Sequence, residues 1–201
     1  MVYDVKIGVE IVEKFNLIWS ACSNYQGTNI LENRITIILF DIIKCDKKFM
    51  KFFCQDVLKA TNFLPNEIET AKVDMGTHHF DLFIQTDRQI IPIELKIDAR
   101  DQDKQCYRYL QKAKEINKNI PTLLYYLRKG ERQPSPESLN GEEIFANDLN
   151  AVGNESGVVL ISYKDEILNW IESCSQDLTN FGEKNFCYQL ELFADIIREH
   201  L

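Results

Sequence analysis

Asp81, Glu94, Lys96, Gln105 and Tyr109 are the side chains whose types and spacing could do chemistry here. All five lie in one stretch, residues 78–109, HHFDLFIQTDRQIIPIELKIDARDQDKQCYRY, which reads as strand, tight turn, strand, loop and helix. Phe80–Thr86 is expected as the first strand and Asp87-Arg88 as the turn. In the second strand, Gln89–Ile97, the apolar Ile91, Ile93, Leu95 and Ile97 share a face by period-2 alternation. Glu94, Lys96 and Asp98 then line the opposite face. If the hairpin closes around Asp87-Arg88, Thr86 pairs with Gln89 and Asp81 falls opposite Glu94, with Cβ atoms roughly 5 Å apart. Facing carboxylates destabilise a sheet unless something positive or a proton sits between them. Lys96, one pleat further on, shares their face. Two carboxylates and a lysine suit a divalent cation and an activated water. Hard cations take carboxylate oxygens, and a bound metal lowers the pKa of its water. A purely structural salt-bridge network is the rival reading of the same three residues.

Downstream, Asp101 is placed to cap a helix running to about Asn117. Gln105 and Tyr109 are four apart and stack on one face of it. Alone, they would be a solvated glutamine and a core tyrosine; beside facing acids they read as part of a site. Pro92 inside the second strand removes a ladder hydrogen bond and predicts a bulge or an unpaired edge.

Asp81, then Glu94-x-Lys96, then a helix bearing Gln105-x-x-x-Tyr109, resembles the core of the PD-(D/E)XK nuclease superfamily. The Gln-x-x-x-Tyr addition resembles its RecB-like branch. The string IELKIDARDQDKQCYRY is similar to an uncharacterised bacterial family within it, often met in phage-defence settings. Phe80 departs from the family's proline at a position that varies. The resemblance runs from about Glu32 to the end, with its specific part at 78–109. It implies an α/β fold with a restriction-endonuclease-like core: a mixed sheet of about five strands flanked by helices. It also implies metal-dependent hydrolysis of phosphodiester bonds, in DNA more than RNA. Asp81 and Glu94 would hold Mg²⁺ or Mn²⁺, with the Leu95 carbonyl as a further ligand. Lys96 would orient or deprotonate the attacking water, and Gln105 and Tyr109 would position the scissile phosphate or the water. Related nucleases place a glutamate on the first core helix near the metal. Glu32 therefore reads two ways, as that ligand or as half of a capping box with Asn29. A catalytically silent member of the fold, acting as a binding module or scaffold, is the alternative function.

The net charge of −8 argues at first against a nucleic-acid partner, but its distribution matters more. Segment 99–132 carries nine basic against four acidic side chains, whereas 133–201 carries three against thirteen. Arg100, Lys104, Arg108 and Lys112 recur every four residues on the Gln105–Tyr109 helix, a candidate phosphate-contacting stripe. A plain solvated face is the bland meaning of that run.

The remaining elements must position these residues. A chain of 201 residues, 45% hydrophobic and 27% charged, suits one domain with a sizeable core. No run of eighteen apolar residues occurs, so no membrane helix is expected. The acidic N-terminus lacks an apolar signal core, which predicts a cytoplasmic protein. The six cysteines show no C-x-x-C pairing and read as buried thiols. Residues 1–28 form a helical extension, with helices following at about 30–44 and 47–60, the latter capped by Asp46. Ile68–Met75 is expected as a strand, with Glu69 an exposed acid. His78 and His79 should point to opposite faces, which disfavours zinc. Thr122–Leu127 and Val158–Tyr163 are strands, and helices are expected at about 165–175 and 186–201. Residues 130–157 form an irregular insertion, a flap or a surface excursion. A homodimer is left open.

Overall fold

The structure, a computed structural model, describes residues 30–59, 67–118, 120–145, 155–181 and 184–201. The expected N-terminal helix, Asn29 and Cys22 lie outside these residues. The elements in chain order are α1 (Ile30–Cys45), α2 (Lys47–Phe52) running on through a π-turn at Phe53–Val57, and α3 (Glu67–Thr70). Then come β1 (Lys72–Met75), β2 (Leu82–Gln85), β3 (Ile90–Lys96), α4 (Gln105–Asn117), β4 (Leu123–Arg128) and α5 (Pro136–Leu139). The chain ends with β5 (Ile144–Phe145), β6 (Gly157–Ser162), a π-turn at Tyr163–Ile167, α6 (Leu168–Phe181) and α7 (Lys184–His200). No described helix is long and apolar enough to cross a membrane.

The six strands form one mixed sheet in the order β1-β2-β3-β4-β6-β5. β1, β2 and β3 are antiparallel neighbours; β3, β4, β6 and β5 run parallel. Alternation along each strand splits the apolar side chains between the two faces. Ile93, Leu95, Tyr125, Leu127, Val159 and Ile161 join the apolar stripes of α1, α2, α6 and α7 in the larger core. Leu124, Tyr126, Val158 and Leu160 meet Cys106 and Leu110 of α4 on the other face. The result is the expected α/β arrangement, with one strand more than the roughly five counted from sequence.

That extra strand comes from the 130–157 segment. Its described part is ordered secondary structure rather than an irregular excursion: α5 packs against α4, and β5 pairs with β6. Gly157 permits this close approach, because a Cβ there would lie 2.3 Å from the Phe145 ring. Two other sequence expectations need correction. Glu67–Thr70 is helical, so the first strand is only Lys72–Met75; Glu69 is exposed as expected. His78 and His79 lie in a short 3-10 turn with left-handed backbone (φ 60° and 70°), not at the start of a strand. At Pro92 the bulge is absent, since β2 and β3 pair without a break through Phe83 opposite Pro92, and the other expectation, an unpaired edge, holds on the β4 side.

Proline is tolerated there because of which way its nitrogen faces. Leu95 donates its N–H toward the β2 side, so the even-numbered residues of β3 face β4. The parallel ladder with β4 starts only at Ile93, leaving Pro92 beyond its end. Ile90, on the same side, is served by Asn117, the last residue of α4. Its side chain accepts from Ile90 N at 2.6 Å and donates to Ile90 O at 2.9 Å and Thr122 Oγ1 at 3.0 Å. This buried amide seals the start of the active strand. Asn117→Ala leaves Ile90 N and O without these partners and is expected to destabilise the protein by about 3 kcal/mol, measured by urea unfolding, since each buried unpaired group costs roughly 1–3 kcal/mol.

Candidate active site

The hairpin register is the one expected from the turn. Leu82 pairs with Ile93, so one step further on Asp81, the residue just before β2 begins, stands opposite Glu94. With no strand residue left to pair, Leu95 donates its N–H to Asp81 Oδ2 at 2.8 Å. A strand residue presents its N–H and C=O to the same neighbour, so the Leu95 carbonyl also leaves on the Asp81 side. Glu94 and Lys96 are only 1% and 5% exposed, and buried charges persist only when paired. Glu94 Oε1 accepts from Lys96 Nζ at 2.8 Å and from Gln105 Nε2 at 2.7 Å. Its other oxygen, Oε2, is buried and receives no donor among the described residues.

Burial, reinforced by the charge of Asp81, holds the Glu94 carboxyl well above its ordinary range. Burial also raises Asp81, against the opposing pull of the Leu95 N–H and Lys96. For Lys96, burial favours the neutral form, but Glu94, then Glu32 and Asp81, more than compensate and lift it above its ordinary value. At neutral pH the cluster therefore holds a firm ammonium beside two reluctant carboxylates.

Gln105 and Tyr109 come from α4, whose Cys106 and Leu110 seat it on the sheet. The Gln105 amide is fixed at both ends: Nε2 on Glu94, Oε1 accepting from Gln102 N at 3.1 Å. Nε2 also lies 3.4 Å from Tyr109 Oη, and the Tyr109 ring meets Phe80 edge-on at 5.6 Å. Asp101 does not cap this helix. It accepts from Tyr126 Oη at 3.0 Å and Ser135 N at 2.8 Å, and Arg132 lies 3.9 Å away. The cap is tertiary instead: Lys104 takes a left-handed backbone, Lys104 N donates to Glu137 O, and Cys106 N donates to Ser138 Oγ. Arg132 also donates to the carbonyls of Ile97 and Ala99, lashing down the loop that leaves the active strand. Sequence reading missed Asn117, Arg132 and Ser138, because each matters only through residues distant in the chain.

Glu32 arrives from α1 on the opposite face of the sheet. Its Oε2 accepts from Ile97 N at 3.0 Å, and its Oε1 stands 3.9 Å from Lys96 Nζ. This position braces the strand end and faces the lysine; Asn29, the partner in the expected capping box, lies outside the described residues. The basic stripe is exposed throughout. Arg108 bonds Asp103 O and Gln102 Oε1, and Lys112 pairs with Glu115 at 3.1 Å. Among the described residues, Arg100 and Lys104 make no ion pair.

Among the described residues no three His, Cys, Asp or Glu side chains converge to hold a metal by themselves. The site nonetheless fits one hard cation. Asp81 and Glu94 face each other closely enough to share a proton, and Glu94 Oε2 lacks a donor among the described residues. Mg²⁺ is commonly held by one or two carboxylates, with waters and substrate phosphates completing the shell. Asp81, Glu94 and the Leu95 carbonyl supply that partial set.

Two facing acids suggest that truncating either one relieves repulsion. The bonds to Glu94 Oε1 change that for one of them, since Glu94→Ala would strand Lys96 and Gln105. The cleaner relief is Asp81→Asn, which keeps an acceptor for Leu95 N–H. A carboxylate raised in the folded state binds its proton more tightly there than when unfolded. Its contribution to stability is therefore lost as pH climbs above the ordinary carboxylate value of 3.8 through the folded pKa. Thermal melts of metal-free protein from pH 5 to 8 should show stability falling with pH, less steeply in Asp81→Asn. At pH 7 that variant should melt about 2–4 °C higher, the shift for roughly 1 kcal/mol in a chain this size.

The profile of the PD-(D/E)XK nuclease superfamily matches residues 39–190, a span that includes Asp81, Glu94, Lys96, Gln105 and Tyr109. No curated protein and no solved structure matches the chain. With that profile covering well over half of the sequence and the acidic hairpin inside it, the chain belongs to the PD-(D/E)XK nuclease superfamily.

Proposed function

We propose that this protein is a metal-dependent nuclease that hydrolyses phosphodiester bonds, with DNA the preferred substrate. The observation that carries the reading is the buried Asp81–Glu94–Lys96 cluster with one carboxylate oxygen left unpartnered among the described residues. A structural salt bridge needs one acid per lysine and no orphaned oxygen. Here a second acid is held opposite the first at a cost in stability, as expected of a site that trades stability for chemistry. The preference for DNA, and a place in phage defence or DNA processing, rest on the family likeness of the 78–109 stretch.

Asp81, Glu94 and the Leu95 carbonyl would hold Mg²⁺ or Mn²⁺. When bound, the ion supplies Lewis-acid polarisation of a phosphoryl oxygen and a more acidic water. Lys96, kept charged by Glu94, acts as a donor rather than as the base. It orients the attacking water and neutralises charge growing on the phosphate. Gln105 holds Glu94 in place, and the half-buried Tyr109 hydroxyl stands beside it to meet the phosphate or the water. Asp81 is held by the backbone, so its geometry does not depend on the substrate.

Incubation with plasmid, linear DNA and RNA, with Mg²⁺ or Mn²⁺ and with EDTA, tests the reading. Cleavage that needs the metal and favours DNA is expected. Lys96→Ala should lower the rate by about 100-fold or more, the scale of losing one well-placed electrostatic donor. Nucleic-acid binding without cleavage in the parent protein would point instead to a silent member of the fold.

The exposed stripe on α4 generates a separate expectation. Arg108 lies beside the face that bears Gln105 and Tyr109, at about 100° per residue, and Lys104 stands at the N-terminus of the same helix, next to Gln105. Reversing both to Glu should weaken DNA binding and flatten the log–log salt dependence by roughly two units, about one for each phosphate no longer neutralised. Mn²⁺ binding, read by calorimetry, should be unchanged.

A further inference from the structure

Tyr163 carries a hydroxyl that is fully buried and has no hydrogen-bond partner among the described residues. The residue follows Ser162 at the end of β6. Ser162 pairs with Arg128, and Arg128 pairs with Lys96. The next row across the three parallel strands is therefore Ile97, Lys129 and Tyr163, and Lys129 N continues the ladder by donating to Lys96 O at 3.2 Å. Ile97 and Tyr163 share the core on the α1 face of the sheet, the face from which Glu32 reaches up to Ile97 N. Tyr163 therefore lies on the face of the sheet from which Glu32 contacts Ile97. Burial, and then the charge of Glu32, raises the phenol, with Asp81 and Glu94 adding to it.

Packing alone does not call for a hydroxyl in this place. Phenylalanine would fill the same volume without burying an unpaired polar atom, an unfavourable arrangement that native proteins keep at few positions and commonly for function. Glu32 is the acceptor best able to use it. Among the described residues its carboxylate is held by a single hydrogen bond, from Ile97 N, and stands beyond hydrogen-bond distance of Lys96.

We infer that Tyr163 is a positioning residue of this site: its hydroxyl donates a hydrogen bond to the Glu32 carboxylate in the metal-loaded state, setting where Glu32 and, through it, Lys96 stand. The inference rests on the nuclease reading and adds to it a residue outside the Asp81–Tyr109 stretch. No bond is made or broken by Tyr163, and no proton leaves it.

The test uses the full chain as the parent protein, Tyr163→Phe, Glu32→Gln and the double variant. Three quantities are measured: the melting temperature of the metal-free protein, Mn²⁺ affinity by calorimetry, and kcat and KM for DNA cleavage. Tyr163→Phe should melt at the parent temperature or above it, because it removes an unpaired buried oxygen. Its Mn²⁺ affinity or kcat should fall about 10-fold with KM unchanged, the usual effect of losing a partner behind a metal ligand or catalytic group. The double variant should lose no more than Glu32→Gln alone, since the hydroxyl acts through that carboxylate. Parent-like Mn²⁺ affinity and kcat in Tyr163→Phe would overturn the inference and leave the nuclease reading standing. Losses that multiply in the double variant, or a lowered metal-free melting temperature, would overturn it too. A parent protein that neither binds Mn²⁺ nor cleaves DNA would remove the nuclease reading first, and the inference with it.

Discussion

Glu94 and Lys96, two residues apart on one strand, place opposite charges in the interior at a separation of 2.8 Å. Removing charges from water is costly, and a buried pair holds only with good geometry and further hydrogen bonds. Much of the surrounding structure supplies those bonds. Gln105 takes the same Glu94 oxygen, Glu32 faces Lys96 from the other side of the sheet, and Leu95 N–H ties Asp81 to the strand between them. The pair is incomplete in two respects: Glu94 Oε2 has no donor among the described residues, and Asp81 adds a second negative charge that the lysine does not fully offset. That surplus gives the cluster its affinity for a proton or a cation.

The position of the cluster follows from topology. β2 begins only after Asp81, whereas β3 continues past that level, so backbone groups that would have made a ladder are free for side chains. On its other edge β3 is paired in parallel with β4, and the crossover through α4 delivers Gln105 and Tyr109 onto the same face as the acids. Asn117 closes the far end of that crossover, and Arg132, Asp101 and Ser138 close the near end. The face that bears the acids is thus held by polar ties at both ends of one helix, with apolar packing between them.

The pattern also separates stability from chemistry across the molecule. The larger core, on the α1, α6 and α7 face, is almost wholly apolar. Polar groups left without partners among the described residues include Glu94 Oε2 and the Tyr163 hydroxyl, both at the level where the active strand ends. A local excess of unsatisfied polar atoms beside a well-packed core is what a site prepared for an external ligand requires.

The local part of this protein was legible in its sequence. Period-2 alternation in IIPIELKI and a two-residue turn at Asp87-Arg88 set the strand faces and the register, because side chains alternate strictly and a short turn leaves one pairing. From those rules Asp81 stands opposite Glu94, and the i, i+4 spacing stacks Gln105 beneath Tyr109. What the tertiary structure alone decided depends on residues far apart in the chain. Asp101 satisfies every local rule for a helix cap, yet it bonds Tyr126 and Ser135, and the cap comes from Glu137 and Ser138. Pro92 looks like a defect in the strand until the β3–β4 ladder is seen to start one residue beyond it. Glu32 has two readings in one dimension, and its bond to Ile97 and its nearness to Lys96 come only with the packing of α1 on the sheet. Tyr163 ends an apolar run and shows no sign of a role, because its nearness to Glu32 exists only once three parallel strands are laid side by side. Nearest-neighbour rules fix which face a side chain occupies; which distant group shares that face is settled only when the sheet is assembled.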